Sequence, residues 1–432
     1  LDKTIRYRVI HKTGLFFFMV LALFTFIAKG AVNIAFGALM LAAVLDLALN
    51  RSHRELAQNR YFLAFFLPLA LGLGLSLFSD AGLEGPGFFF IRYRFLFLCL
   101  PFFLFIRERR HILLLFTCLG LSGVFSAGYG FVMAEMADSP SGFSGFLIIG
   151  RNSDLLASLC LMITVLLFEL YLEEKPFNLP AIVWLVIVLV ACVAAILVIQ
   201  QRGAILGLFV GWSVYGVLFN RKFFLGMIMA TLVGTFVLKD DHPLTGRIKS
   251  IGDTNDVSNA IRLDLLGSGI PYVLNHHLLT GSGEKKPEES FASFFNKQDK
   301  SFQEKFANAM KYPGNFHNSF LQMAAEGGVL FLLAYLAGLG YVFFRLIADR
   351  GDSENRVFCI GALVVTFAGC AIFFFHGELF RYGGLVFCLA TYSGCVRKAP
   401  EVPPGIPADE KMETIPVKPS VYGSHGPIVP QA

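Results

Sequence analysis

Charge is what this chain has least of. Of its 432 residues only 16% are Asp, Glu, Lys or Arg, against about 25% in an ordinary soluble domain. So sparse a set cannot cover the surface of a water-soluble globule of this length, and that class is excluded. Cysteine supplies no scaffold either. The eight cysteines (99, 118, 160, 192, 359, 370, 388 and 395) fall in apolar stretches, and none lies in the long connection near 239–316. No disulfide framework is expected there, and no CxxC or Cys/His cluster suggests a metal. Acids are also few where a cation would need them. "AKGA" (28–31) offers none, and "KDDHP" (239–243) has no spaced partner. His276 and His277 in "LNHHLL" would diverge around a helix with no carboxylate close by, and read as surface residues.

Apolar residues are what the chain has in abundance: 55% are hydrophobic, including 47 Phe. They come in blocks of about 17–25 residues, each long enough to cross roughly 30 Å of hydrocarbon as a helix. Periodicity inside the blocks is weak, as in helices that are apolar on every side. Twelve spans are expected, near 14–29, 31–49, 61–78, 88–106, 111–133, 154–172, 179–199, 203–219, 222–238, 317–345, 356–375 and 380–396. The fold class is therefore an all-α, polytopic integral membrane protein. Helices one to nine occupy 1–238, a long loop with short amphipathic helices 239–316, and helices ten to twelve 317–398. The Pro-rich tail over 399–432 has no apolar run and reads as disordered. The first span lacks a small-residue cleavage site followed by a polar mature region, and reads as retained.

Basic residues set the orientation. Lys3, Arg6, Arg8 and Lys12 precede the first span, and later connections such as "NRSHRELAQNR" (50–60), "RERRH" (107–111), "NRK" (220–222) and "VRK" (396–398) are also basic. The connection near 173–178 is nearly neutral. The positive-inside rule puts these connections and both termini in the cytoplasm, and the long loop on the other side.

A few cations break that pattern. Arg202 stands in "LVIQQRGAILG" beside Gln200 and Gln201, where the turn between two spans is almost absent. Arg262 stands in "VSNAIRLDLLGSGIPYVLNHHLLTGSG", where Ile261, Leu263, Leu265 and Leu266 suggest a short amphipathic helix lying on the membrane. Arg92, Arg94, Arg151 and Arg381 sit near outer ends of spans, where an ordinary role is to snorkel to the headgroups. His317, in "KYPGNFHNSFLQMAAEGGVL", falls at the same level as an interfacial residue or a base. Guanidinium groups match phosphate oxygens and neutralise a departing diphosphate. An imidazole with an ordinary pKa near 6.5 can take a proton from a sugar hydroxyl. Together they suit transfer of a group from a lipid diphosphate to an alcohol. A transporter would instead place charges in mid-span or break its helices in related halves, and neither pattern is evident.

Three stations, "QQRG" (200–203), "NAIRLDLL…GSG" (259–283) and "HNSFLQMAAEGG" (317–328), resemble the O-antigen ligase and polymerase superfamily. Their order, with the long loop just before His317, looks most like the O-antigen ligase. That pattern runs from His-Asn through nine residues to a glycine, met by Gly328, and then expects Gly, Thr or Tyr where Phe331 stands. The resemblance covers roughly 150–345 by motif. It implies transfer of O-antigen polysaccharide from undecaprenyl diphosphate to a sugar of lipid A–core, at the periplasmic face of the bacterial inner membrane. It also implies Arg202 and Arg262 on the diphosphate, His317 as general base, and inversion at the anomeric carbon. Asn318 would orient the imidazole, and Arg94, Arg151, Arg381 and Gln201 would add to substrate binding. No metal, nucleotide cofactor or nucleic acid is implied. Partners are the lipid-linked polysaccharide, the lipid A–core acceptor and membrane lipids. The polymerase, which takes a second lipid-linked glycan as acceptor, is the nearest alternative.

Overall fold

The structure is a computed structural model that describes residues 3–50, 52–136, 152–173, 179–199, 201–237, 246, 253, 256–276, 278–283, 287–350, 356–375 and 384–396. Among them every regular element is helical. The first group comprises α1 (Lys3–Phe24), α2 (Lys29–Asn50), α3 (His53–Gln58), α4 (Arg60–Ser76), α5 (Gly85–Tyr93) and α6 (Cys99–Phe105). It continues with α7 (Arg109–Met136), α8 (Asn152–Glu173), α9 (Leu179–Ile199), α10 (Arg202–Leu218) and α11 (Arg221–Val237). Then come α12 (Val257–His276), α13 (Pro287–Asn296), α14 (Lys300–Lys305) and α15 (Ser319–Gly327). The last are α16 (Val329–Asp349), α17 (Arg356–Phe375) and α18 (Leu385–Ser393).

Six of these helices, α1, α2, α7, α9, α16 and α17, are long and apolar enough to cross a membrane. A seventh crossing results if α5 and α6 form one bent span, and α4 and α10 are apolar but shorter. The chain is thus a multi-pass membrane protein. α1 packs on α2 and α7, α8 on α9 and α17, α10 on α17, and α16 on α4. One apolar core runs through these contacts, with Phe18, Phe26, Phe102, Phe116, Tyr215 and Tyr392 among its largest fully buried side chains.

Three local expectations need correction. The stretch expected as one helix over 88–106 bends by 73° between Tyr93 and Leu96. Pro101, the third residue of α6, explains why the second piece starts afresh. Proline has no N–H for a carbonyl four residues back, and its ring is tolerated only in a first turn. The stretch expected as one helix over 317–345 is divided at Gly328, whose φ of 85° and ψ of 159° end α15 and begin α16. Finally, the short membrane-lying helix around Arg262 is the 20-residue α12. Ile261 and Leu265, one turn apart, are buried, whereas Leu263 on the other side is 52% exposed. Their buried face belongs to a second core with Tyr272, Phe291, Phe294 and Phe316, so the loop folds on its own aromatics.

Candidate functional site

Arg202 is the first residue of α10, and its fork closes on the residues that open α12. Its two terminal nitrogens donate to Asp256 Oδ1 at 2.9 Å and Oδ2 at 2.8 Å, and one also reaches Asn259 Oδ1 at 3.4 Å. Arg262 donates to the same Asn259 oxygen at 3.4 Å. The two guanidinium groups are therefore held side by side on a shared acceptor. Asp256 also receives the backbone N–H groups of Ser258 and Asn259, as an N-terminal cap does. Arg202 and these amides hold its carboxyl down at about 2. Burial, and then the like charge of Arg202, lower the pKa of Arg262, while Asp256 opposes them. Asp253 adds the attraction of a second carboxylate at Arg202. Sequence reasoning missed Asp256, although an Asp ahead of "VSNAIR" is a helix-start signal.

The same α12 supports the segment carrying His317. Asp264 accepts from the backbone and side-chain nitrogens of Asn308 at 3.3 and 3.0 Å. Tyr272 and Phe291 pack on the ring of Phe316, with centroids 6.0 and 5.3 Å away. His317 follows directly, with φ 48°, as the single non-glycine residue of positive φ among the described residues. Its N–H donates to Asn315 Oδ1 at 3.3 Å, and the Tyr312 ring stands edge-on to its imidazole at 5.5 Å. Phe316 and Asn318 on either side are buried, while His317 is only half-buried. Asn318 Oδ1 accepts from the N–H of Leu321 at 2.9 Å and so caps α15. Strained backbone of this kind concentrates where a side chain must be aimed.

Behind His317 lies a buried polar chain that the sequence did not announce. Gln322 accepts from the Phe316 N–H at 3.0 Å and donates to the Gly314 carbonyl at 3.0 Å and to Glu326 Oε1 at 2.6 Å. Arg92 grips the same carboxylate at 2.6 and 2.8 Å, and Tyr93 adds its hydroxyl at 3.2 Å. Arg92 is 20% exposed and Glu326 9%, so this arginine is an internal brace rather than a headgroup contact. The available signal was a lone acid in the apolar "AAEGG", which needs a partner in such surroundings.

A seam of backbone hydrogen bonds joins the end of the second station to the end of the third. Ser282 N–H donates to Ala325 O at 2.8 Å, Gly283 N–H to Glu326 O at 3.0 Å, and Val329 N–H to Leu278 O at 2.8 Å. A Cβ at Gly281 would overlap the Glu326 carbonyl, and one at Gly328 the Leu279 carbonyl. Both positions also have positive φ, so glycine is required twice over. Phe331, where the ligase pattern has Gly, Thr or Tyr, is fully buried against Phe89 and Tyr93 at 4.9 and 5.1 Å.

Other expected site residues lie elsewhere or outside the described part. Arg94 ends the first half of the bent span, with its guanidinium on the Ile91 carbonyl at 3.2 Å and 4.9 Å from the Phe95 ring. Gln201 precedes α10, and its Oε1 accepts from Ser153 at the start of α8. Arg151, Arg381, Gln200, His277 and the stretch 239–243 lie outside the described residues.

The arrangement so far is three sequence stations tied to one helix, α12. Residues 185–336 match the family model of the O-antigen ligase. That stretch runs from α9 into α16 and contains all three stations, together with Asp256, Gln322 and Glu326. The match is consistent with the O-antigen ligase and polymerase superfamily. No curated protein matches the chain.

Proposed function

We propose that this chain is a ligase that moves O-antigen polysaccharide from undecaprenyl diphosphate to a sugar of lipid A–core, at the periplasmic face of the inner membrane. The observation that carries this reading is the pair of guanidinium groups, Arg202 and Arg262, sharing Asn259 on the helix that also supports His317. In this reading the diphosphate oxygens compete with Asp256 for the Arg202 fork, and Arg262 adds the second charge. His317 takes the proton of the acceptor hydroxyl as its oxygen attacks the anomeric carbon. The bond from that carbon to the diphosphate oxygen breaks, and the leaving diphosphate keeps the electron pair and remains on its lipid carrier. Attack opposite the leaving group inverts the anomeric centre. No step calls for a metal. Asn318 caps the start of α15 and so fixes the backbone next to the base, and in this reading it also orients the imidazole.

Purified chain reconstituted with lipid-linked glycan and lipid A–core, with and without a chelator, tests the proposal. Glycan on lipid A–core in both cases is expected. Longer lipid-linked glycan with no core product would mark a polymerase instead, and no glycan transfer of either kind would overturn the enzymatic reading. Loss of a general base costs about 10²–10⁴-fold, so His317→Ala should drop by at least that while donor binding persists. Arg262→Lys should also be impaired, because an ammonium cannot reproduce the fork.

A further inference from the structure

At the far end of α10 from Arg202, some 24 Å away at 1.5 Å per residue over 17 residues, lies a cavity of about 960 Å³. It is large even against ligand pockets of roughly 300–1,000 Å³. It opens between α11 and the helices α8, α9 and α10, and α11 packs chiefly on α10, which leaves the cleft laterally accessible. Its walls are apolar, with Phe168, Leu189, Phe223 and Met227 among them. Its rim is cationic. Arg356 is balanced by the buried Glu169 at 3.5 Å, and Glu169 also accepts from Tyr215 at 2.9 Å. Arg221 and Lys222 are exposed at the same rim, with no ion-pair partner among the described residues. An occupant must therefore be apolar over most of its length and anionic at one end.

The geometry points to a binding site for an anionic glycerophospholipid, its acyl chain between α11 and α8–α10 and its phosphate against Arg221 and Lys222. Basic pockets between spans recognise anionic headgroups in this way. A zwitterionic lipid would bring its own cation to a rim that already carries two. Such a lipid would wedge α11 against the bundle, at the opposite end of α10 from the diphosphate-binding pair. The site stands whether or not glycan transfer occurs at the other end.

Trp212 lines the cavity and gives a local probe, since the chain has only two tryptophans. The test uses the full chain with Trp184→Phe in liposomes, titrated with brominated phosphatidylglycerol or brominated phosphatidylcholine at matched fractions. Trp212 should be half-quenched at about a thirtyfold lower fraction of the anionic lipid, as two nearby cations imply. Arg221→Gln/Lys222→Gln should erase that preference. Gly226→Phe should erase it too, because this position faces open space in the cavity wall. Equal quenching by the two lipids in the parent would overturn the proposal. So would a preference that survives loss of both cations, or one that survives Gly226→Phe and thus belongs to the outer surface alone.

Discussion

Removing the Glu326 carboxylate should cost more than any other single change near the candidate site. Glu326 is 9% exposed and takes hydrogen bonds from Arg92, Tyr93 and Gln322. In Glu326→Leu the Arg92 guanidinium, only 20% exposed, is left buried without its counter-charge. Breaking such a pair from one side costs about 3–5 kcal/mol. Removing both charges in Arg92→Leu/Glu326→Leu leaves neither ion stranded, so the double variant should be much less damaged than the sum of the singles. A coupling of about 3 kcal/mol, at the top of the range for residues in contact, is expected. Denaturant unfolding in mixed micelles, followed by tryptophan fluorescence, measures all three variants. Transfer should fall in Glu326→Leu with kcat affected more than KM, since Gln322 loses the acceptor that steadies its hold on Gly314 and Phe316. A single variant within about 1 kcal/mol of the parent would refute the reasoning, as would simple addition in the double.

Asp256 supplies a pH dependence. Its carboxyl is lowered from 3.8 to about 2 by Arg202, so its link to α10 is fully present above pH 4 and is lost as the pH falls toward 2. The protection factors of the Ser258 and Asn259 amides against hydrogen exchange should fall across that window in the parent and stay constant in Asp256→Asn. Asn318→Ala should cost about 1 kcal/mol of stability through loss of the α15 cap, whereas Asn318→Ser should retain most of it, as measured by the same unfolding curves. Gly328→Ala should cost about 1–3 kcal/mol from backbone strain alone, with further loss from overlap with Leu279, and proteolysis should find the 278–283 segment released.

Composition alone made the all-helical membrane class legible, because block length and apolarity are properties of single segments. What it hid were the features that need two segments at once. Gly328 reads as a pattern glycine inside one expected span, yet it divides the helix where the 278–283 strip donates and accepts backbone hydrogen bonds. Ile261 and Leu265 were apolar at helical spacing, and such a face fits a bilayer or a protein core equally well. The Phe-rich stretch from Phe291 to Phe306 decided for the core. In the site, Arg202, Arg262 and His317 were visible as chemistry out of place. Asp256 and Glu326 carried only local signals, a helix start and a lone acid among apolar residues, and neither signal names the cation that the acid meets.

Those two acids sharpen how the site is built. Each one occupies an arginine, but with different neighbours. Glu326 is enclosed, already satisfied by Arg92, Tyr93 and Gln322, and a substrate anion gains nothing by displacing it. Asp256 is 23% exposed and its partner Arg202 13%; Arg202 is shared with Asn259, which also takes a bond from a second arginine, Arg262. In the proposed function a diphosphate oxygen takes the place of this carboxylate on the Arg202 fork. In the proposed reading this difference separates a brace from a receiving site. In the proposed reading Arg92 holds the His317 segment in place through Glu326 and Gln322, while Arg202 and Arg262, set side by side at α12, receive the diphosphate.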